Sequence, residues 1–227
     1  MQEKLYTLPL IGDKAPSFTA VTTKGKLNFP EDYTKKGMWS ILFSHPADFT
    51  PVCTTEFMTF ASMHDEFRAL NTELVGLSVD ALQSHIQWLK QLENFEYNGI
   101  KNPKVEFPLI VDITMDVSRL YGMIHPNNDT THAVRAVFIV DPKGVIRTIL
   151  YYPGSTGRNF KEIKRLLIAL QTADANPGTA TPADWHPGDD LIMAPPATKE
   201  DADIREKQEG IKCQDWFFCF KEHKMNK

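Results

Sequence analysis

The stretch from Ile41 to Leu70 changes its period midway, and that change constrains the whole chain. Met38 to Phe43 reads as a buried strand, whereas Phe57, Phe60, Met63, Phe67 and Leu70 recur at three- and four-residue steps, as on one face of a helix. Pro46 disfavours helix at His45. Thr50 followed by Pro51 predicts a helix start: the threonine caps, and proline takes the first position, where a missing N–H costs nothing. Cys53 therefore falls in the first turn, beside orphan amides and the positive end of the helix dipole. A thiol placed there with a cationic neighbour ionises well below the free-cysteine value of about 8.5, and the thiolate is its reactive form. The plainer reading of Cys53 is a small buried hydrophobe. Strand, cap, proline and first turn together favour a reactive thiol.

With 227 residues the chain has room for one full domain and a smaller appendage. Its formal net charge of −4 gives no reason to expect nucleic acid or an anionic membrane surface as partner. Met1 to Gly12 lacks the basic start and long apolar run of a secretory signal. No segment approaches the roughly eighteen apolar residues of a membrane span. Three sparse cysteines suit a reducing cytoplasm and point to reactive thiols rather than a disulfide framework.

Taken in order, Asp13 to Phe18 opens an extended segment, and Thr22 to Lys26 is a tight turn between two short strands. Glu31 to Lys36 is loop or a helical turn. Leu74 to Val79 is a strand, followed by a helix over Ala81–Asn94 with Leu82, Ile86, Leu89 and Leu92 at helical spacing and Trp88 alongside. Asn98 to Lys104 reads as loop. Phe107 to Asp112 is a strand whose proline leaves its first residues unpaired or at an edge. Val117 to Tyr121 makes one or two helical turns, stopped at Gly122. Ala133–Val140 and Val145–Tyr152 are strands joined by the turn Asp141-Pro142-Lys143-Gly144. Asn159 to Ala173 is a periodic helix.

This alternation argues for an α/β fold, a mixed sheet with helices on both faces, over residues 1–174. From Asn176 the composition turns to prolines, glycines and acids, with too few periodic apolar residues for a separate core. Residues 175–227 are expected to form an extended arm or small dimerisation domain lying across another surface, a second subunit's among the candidates, anchored by Trp216, Phe217, Phe218 and Phe220.

Pro46-x-x-x-Thr50-x-x-Cys53, preceded by Phe-Ser-His and followed by Thr-Thr-Glu, resembles the peroxiredoxin active-site signature, in its one-cysteine form. The similarity continues through Gly76 to Asp80, His132 to Phe138, Tyr152 to Phe160 and Pro182-Ala183-Asp184-Trp185. It implies a thioredoxin-like fold and reduction of hydrogen peroxide or organic hydroperoxides by a thiol, with no cofactor. It also implies a homodimer, often built into a decamer as a pentamer of dimers, in which the strand Val145–Tyr152 pairs across the two-fold. A thioredoxin-like protein or a small thiol would supply electrons.

In the chemistry so implied, Cys53 attacks one peroxide oxygen, and the departing oxygen needs donors and positive charge. Arg135 is the matching arginine, able to stabilise thiolate and peroxide together; an arginine on a strand is otherwise a solvated edge residue. Thr50 would bond peroxide or sulfur besides capping, and Pro46 would shield the sulfur. Glu56 would orient the arginines, or merely complement the helix dipole. Arg158 matches the family's second arginine, against a surface or helix-start role. His45 sits at the subfamily's histidine position, either near Cys53 or as a packed, satisfied ring. Gly154 to Gly157 lacks the spacing of a phosphate-binding loop and reads as loop and helix cap.

Cys213 and Cys219 resemble the tail cysteines of long-armed archaeal members, Cys219 resolving Cys53 across a subunit boundary and Cys213 exchanging with it. Two packed cysteines, or a zinc site with His223, are the alternatives. One departure stands out: some relatives carry Gly-Asp-Ser-Trp-Gly before the central strand, whereas Lys36 to Ser40 here has Met38 at the serine position, so no phospholipase activity is expected. Rival functions are an oligomeric redox sensor or holdase oxidised only stoichiometrically, and a cysteine hydrolase pairing Cys53 with His45.

Overall fold

The computed structural model describes residues 8–205 and 207–223; most of the amino-terminal stretch scanned for a signal lies outside them. Strands β1 (Phe18–Thr22) and β2 (Gly25–Phe29) form a hairpin, followed by α1 (Glu31–Thr34), β3 (Trp39–Ser44), α2 (Pro51–Ala69), β4 (Thr72–Ser78) and α3 (Leu82–Leu92). A small hairpin of β5 (Glu96–Tyr97) and β6 (Ile100–Lys101) leads to β7 (Leu109–Val111), α4 (Asp116–Leu120), β8 (Arg135–Val140), β9 (Ile146–Tyr152) and α5 (Phe160–Ala175). The chain closes with β10 (Thr179–Ala180), β11 (Leu191–Met193), α6 (Lys199–Arg205), β12 (Ile211–Asp215) and β13 (Phe218–Lys221).

Seven strands share one sheet in the order β2-β1-β7-β4-β3-β8-β9. Central β3 runs parallel to β4 and antiparallel to β8, and each of its residues is buried. Alternation along β3 separates two faces. Phe43 turns toward α2, its ring 5.6 Å from Phe57 and 4.4 Å from Phe60. Leu42 turns the other way, into a core with Val75, Phe138, Tyr33 of α1 and Val117 of α4. Helices thus cover both faces of a mixed sheet, the expected fold class, and β9 lies at its edge.

The elements depart from the sequence reading in three places. Within the expected loop, Asn98 (φ 48°) and Gly99 (φ 79°) both take left-handed backbone and make the two-residue turn of the β5–β6 hairpin. On α3 the buried face is His85, Trp88 and Leu92, while Ile86 is exposed. The apolar spacing misled because His85 is polar yet fully bonded inside the protein, as described below. Third, the tail is not a bare arm: β10, β11, β13 and β12 form a four-stranded sheet, and Trp185 and Leu191 are buried with Ala169. Trp185 also satisfies its indole N–H on the Asp189 carbonyl at 3.0 Å, which fixes that loop.

The packing units are Met1–Phe160 and Lys161–Lys227, so α5 groups with the tail, whereas the change in composition follows that helix.

Candidate active site

Thr50 ends the loop after β3 in extended backbone, and Pro51 opens α2. Its hydroxyl, however, does not cap the helix as expected. It donates to the Ala47 carbonyl at 2.9 Å, a local bond that hydroxyl residues favour in turns. The first turn therefore has no side-chain cap. Cys53 lies in it, buried, the free cysteine among the described residues.

β8 brings Arg135 to this turn. Its Nη1 donates to Cys53 Sγ at 3.2 Å and to Glu56 Oε2 at 2.8 Å. Nε and Nη2 donate to the Gly154 carbonyl at 3.2 and 2.8 Å, so the guanidinium plane is held from two sides. A solvated edge arginine would show none of this; Arg135 is 2% exposed. The Gly154 loop thus serves as an arginine clamp, and a side chain at Gly154 would come within 4.0 Å of half-buried Pro46.

Arg158 is buried as well. Its Nε and Nη2 bond Glu56 at 2.9 and 2.7 Å, its backbone N–H meets Glu56 Oε1 at 2.8 Å, and Nη1 reaches the Ser44 and Ala136 carbonyls, each at 2.9 Å. Burial opposes ionisation of Glu56, but Arg158 first and Arg135 next outweigh it, holding the carboxyl below its ordinary range. Two guanidiniums against one carboxylate leave one positive charge unbalanced beside Sγ, which an anionic sulfur would neutralise.

Comparison with known proteins follows the same lines. Residues 11–149 match the AhpC/TSA family, and residues 169–210 match the C-terminal domain of 1-Cys peroxiredoxin. A peroxiredoxin of Methanosarcina mazei is 61% identical over 217 residues, covering 94% of this chain and 98% of its own length. One from Methanocaldococcus jannaschii is 46% identical, covering 94% and 99%. Among solved structures, a yeast mitochondrial 1-Cys peroxiredoxin superposes with a TM-score of 0.82 at 39% identity, covering 95% of this chain and all of that one. The chain belongs to the peroxiredoxin family. It is thereby a thiol-dependent peroxidase with a thioredoxin-like fold.

In this peroxiredoxin His45 is buried with its Nε2 3.1 Å from Asp48 Oδ1. Its ring stacks on Trp88 at 5.2 Å and meets Phe57 edge-on at 4.7 Å. Among the described residues no hydrogen bond joins His45 to Cys53, so the hydrolase pairing finds no support in the geometry. Burial lowers the His45 pKa against the opposing pull of Asp48, favouring the neutral ring. Its Nδ1 is buried without a partner.

Sequence reasoning passed over Asp48, Ser84 and His85, which meet behind His45. The only hint was a buried-type helix face carrying a histidine three residues before Trp88. His45, Asp48 and Asp80 bring candidate metal-ligand atoms within 4.8 Å of one another. Hydrogen bonds already explain that grouping: Asp48 engages two histidines and Ser84, and Asp80 accepts from Ser78 and from the Asp48 amide.

In the tail, the β12–β13 register sets Cys213 opposite Cys219, and the two form a disulfide within the chain. Each sulfur is occupied by the other, so neither is a zinc-binding thiolate in this state. No described helix is long and apolar enough to cross a membrane.

Proposed function

We propose that this peroxiredoxin reduces hydrogen peroxide and organic hydroperoxides to water and alcohols at Cys53, in the cytoplasm, as a homodimer that assembles into a pentamer of dimers. The observation that carries the chemistry of this reading is the 3.2 Å contact from Arg135 to the Cys53 sulfur, with Arg135 itself fixed by Glu56 and Gly154. The assembly rests on the family resemblance alone, and the compartment on the sparse cysteines. The Cys53 thiolate attacks one peroxide oxygen and the O–O bond breaks. Sulfur is oxidised to sulfenic acid, and the second oxygen leaves as hydroxide or alkoxide to collect a proton. Guanidinium N–H groups stabilise that leaving charge, Thr50 orients the peroxide, and Pro46 keeps water from the sulfur.

The sulfenic acid then condenses with the Cys219 thiol of a second subunit, releasing water. Cys213 attacks this bridge, Cys53 departs as thiolate, and the Cys213–Cys219 pair remains, the same pair found in the structure. A dithiol protein or small thiol reduces it and restarts the cycle. Thiol resolution through glutathione and thioredoxin systems is described for the yeast relative, which favours donors of that kind.

Peroxide consumption by the purified protein with dithiothreitol or a thioredoxin system tests this. Many turnovers per subunit, lost in Cys53→Ser, are expected. A single oxidation that then stops would instead make the protein a sensor or holdase.

A further inference from the structure

The loop 45–50 between β3 and α2 holds Pro46 and Thr50 and delivers Cys53, yet it contains no regular structure. Phe49 in this loop has φ 57° although half its surface is exposed. A bulky residue in the left-handed region is strained, and little burial of its own ring compensates, so neighbouring contacts must impose that conformation.

Those contacts converge on the preceding residue. Asp48 Oδ1 takes His45 Nε2 at 3.1 Å, and Oδ2 takes Ser84 Oγ and His85 Nδ1, each at 2.8 Å. The Asp48 amide donates to Asp80 Oδ2 at 2.9 Å. His85 continues the chain of bonds, its Nε2 3.1 Å from the Ile110 carbonyl in β7. The carboxylate thereby ties the loop to α3 and, through His85, to β7, while the Asp48 amide ties it to the turn after β4. Burial opposes its ionisation, but the His45 and His85 bonds outweigh that and hold it down at about 2. As an anion Asp48 only accepts, so His45 must turn an N–H toward it. This explains why His45 Nδ1 remains a buried lone pair without a donor, a cost accepted to make the bond.

We infer that Asp48, braced by His85 and Ser84, is a positioning residue that latches the Pro46–Thr50 loop and so sets the Cys53 sulfur against Arg135. It never touches peroxide, and the inference rests on peroxide reduction at Cys53. The Ala47 carbonyl receives the Thr50 hydroxyl, and the Thr50 carbonyl receives the Thr54 amide, each at 2.9 Å, so a loop shift passes straight into the first turn of α2.

The test compares native protein with Asp48→Asn. Stopped-flow measurement of Cys53 oxidation by hydrogen peroxide is set beside alkylation of Cys53 by iodoacetamide. A displacement near 1 Å costs about 10²-fold in a reaction that depends on alignment. With both reactions run at about pH 9.5, where a thiol ionises without the arginine's help, Asp48→Asn should therefore slow peroxide oxidation by about that factor while alkylation, which needs no arginine-held oxygen, changes little. A folded variant that oxidises at the native rate, or one in which both rates fall together, overturns the latch. Should Asp48→Asn fail to fold, Ser84→Ala removes a single donor: several-fold slower oxidation supports the latch, and the native rate overturns it. Hydrogen exchange at the amides of residues 53–56 reads the latch without peroxide, and faster exchange in the variant is expected. Unchanged exchange would overturn it, whereas native protein inert to peroxide would sink only the functional reading.

Discussion

Glu56 meets two buried guanidinium groups with both of its oxygens, so its removal leaves Arg135 and Arg158 without their shared counter-charge. Breaking a buried pair in this way costs about 3 kcal/mol or more. Glu56→Gln should show that loss in urea unfolding at neutral pH, and a variant as stable as native would mean the two arginines are held by their backbone carbonyls alone. The pH dependence has a definite sign. Because the folded-state pKa lies below the ordinary 4.5, the contribution is complete above that value and is lost as pH falls beneath it. Native protein should accordingly lose stability below about pH 4.5 more steeply than Glu56→Gln. Cys53 was legible from strand, proline and helical period, whereas Glu56, Arg135 and Arg158 were named by the resemblance to the family. The role of the Gly154 carbonyl was not, since a backbone acceptor leaves no mark on residue type.

Elements explain which parts of the motif are packing rather than chemistry. Gly76 in β4 faces the aromatic cluster beneath α2: a Cβ there would lie 3.0 Å from Leu109, 3.2 Å from Phe43 and 3.3 Å from Phe57. Two of these are rings already wedged against Phe107, so they have little room to yield. Gly76→Ala should destabilise by about 1–3 kcal/mol as overpacking does, seen as a lower midpoint in thermal unfolding; an unchanged midpoint would show that the cluster can shift. The start of α2 was legible from Thr50-Pro51, because proline at the first position and periodic aromatics are local signals. The direction of the Thr50 hydroxyl was not, since the Ala47 carbonyl competes with the helix amides only once the loop is folded. For α3 the apolar period pointed to Ile86, and the long-range bonds from His85 to Asp48 and Ile110 decided otherwise.

At the scale of the molecule, the tail disulfide makes resolution a question of order. With Cys213 and Cys219 joined, neither can condense with a sulfenic acid until the pair is reduced. Reduced protein given one equivalent of peroxide should form a covalent dimer on non-reducing gels in Cys213→Ser, where exchange is blocked, and none in Cys219→Ser. A dimer persisting in Cys219→Ser would move the resolving role to Cys213. The chain alone determined that a strand feeds a helix whose first turn holds Cys53, because proline and hydrophobic period act over a few residues. Only tertiary structure decided that Arg135, 82 positions away, touches the sulfur, that Asp48 gathers two histidines, and that the tail closes its own sheet. Such contacts depend on which strands become neighbours, and partner choice in a sheet is set by burial of whole faces rather than by any short run of residues.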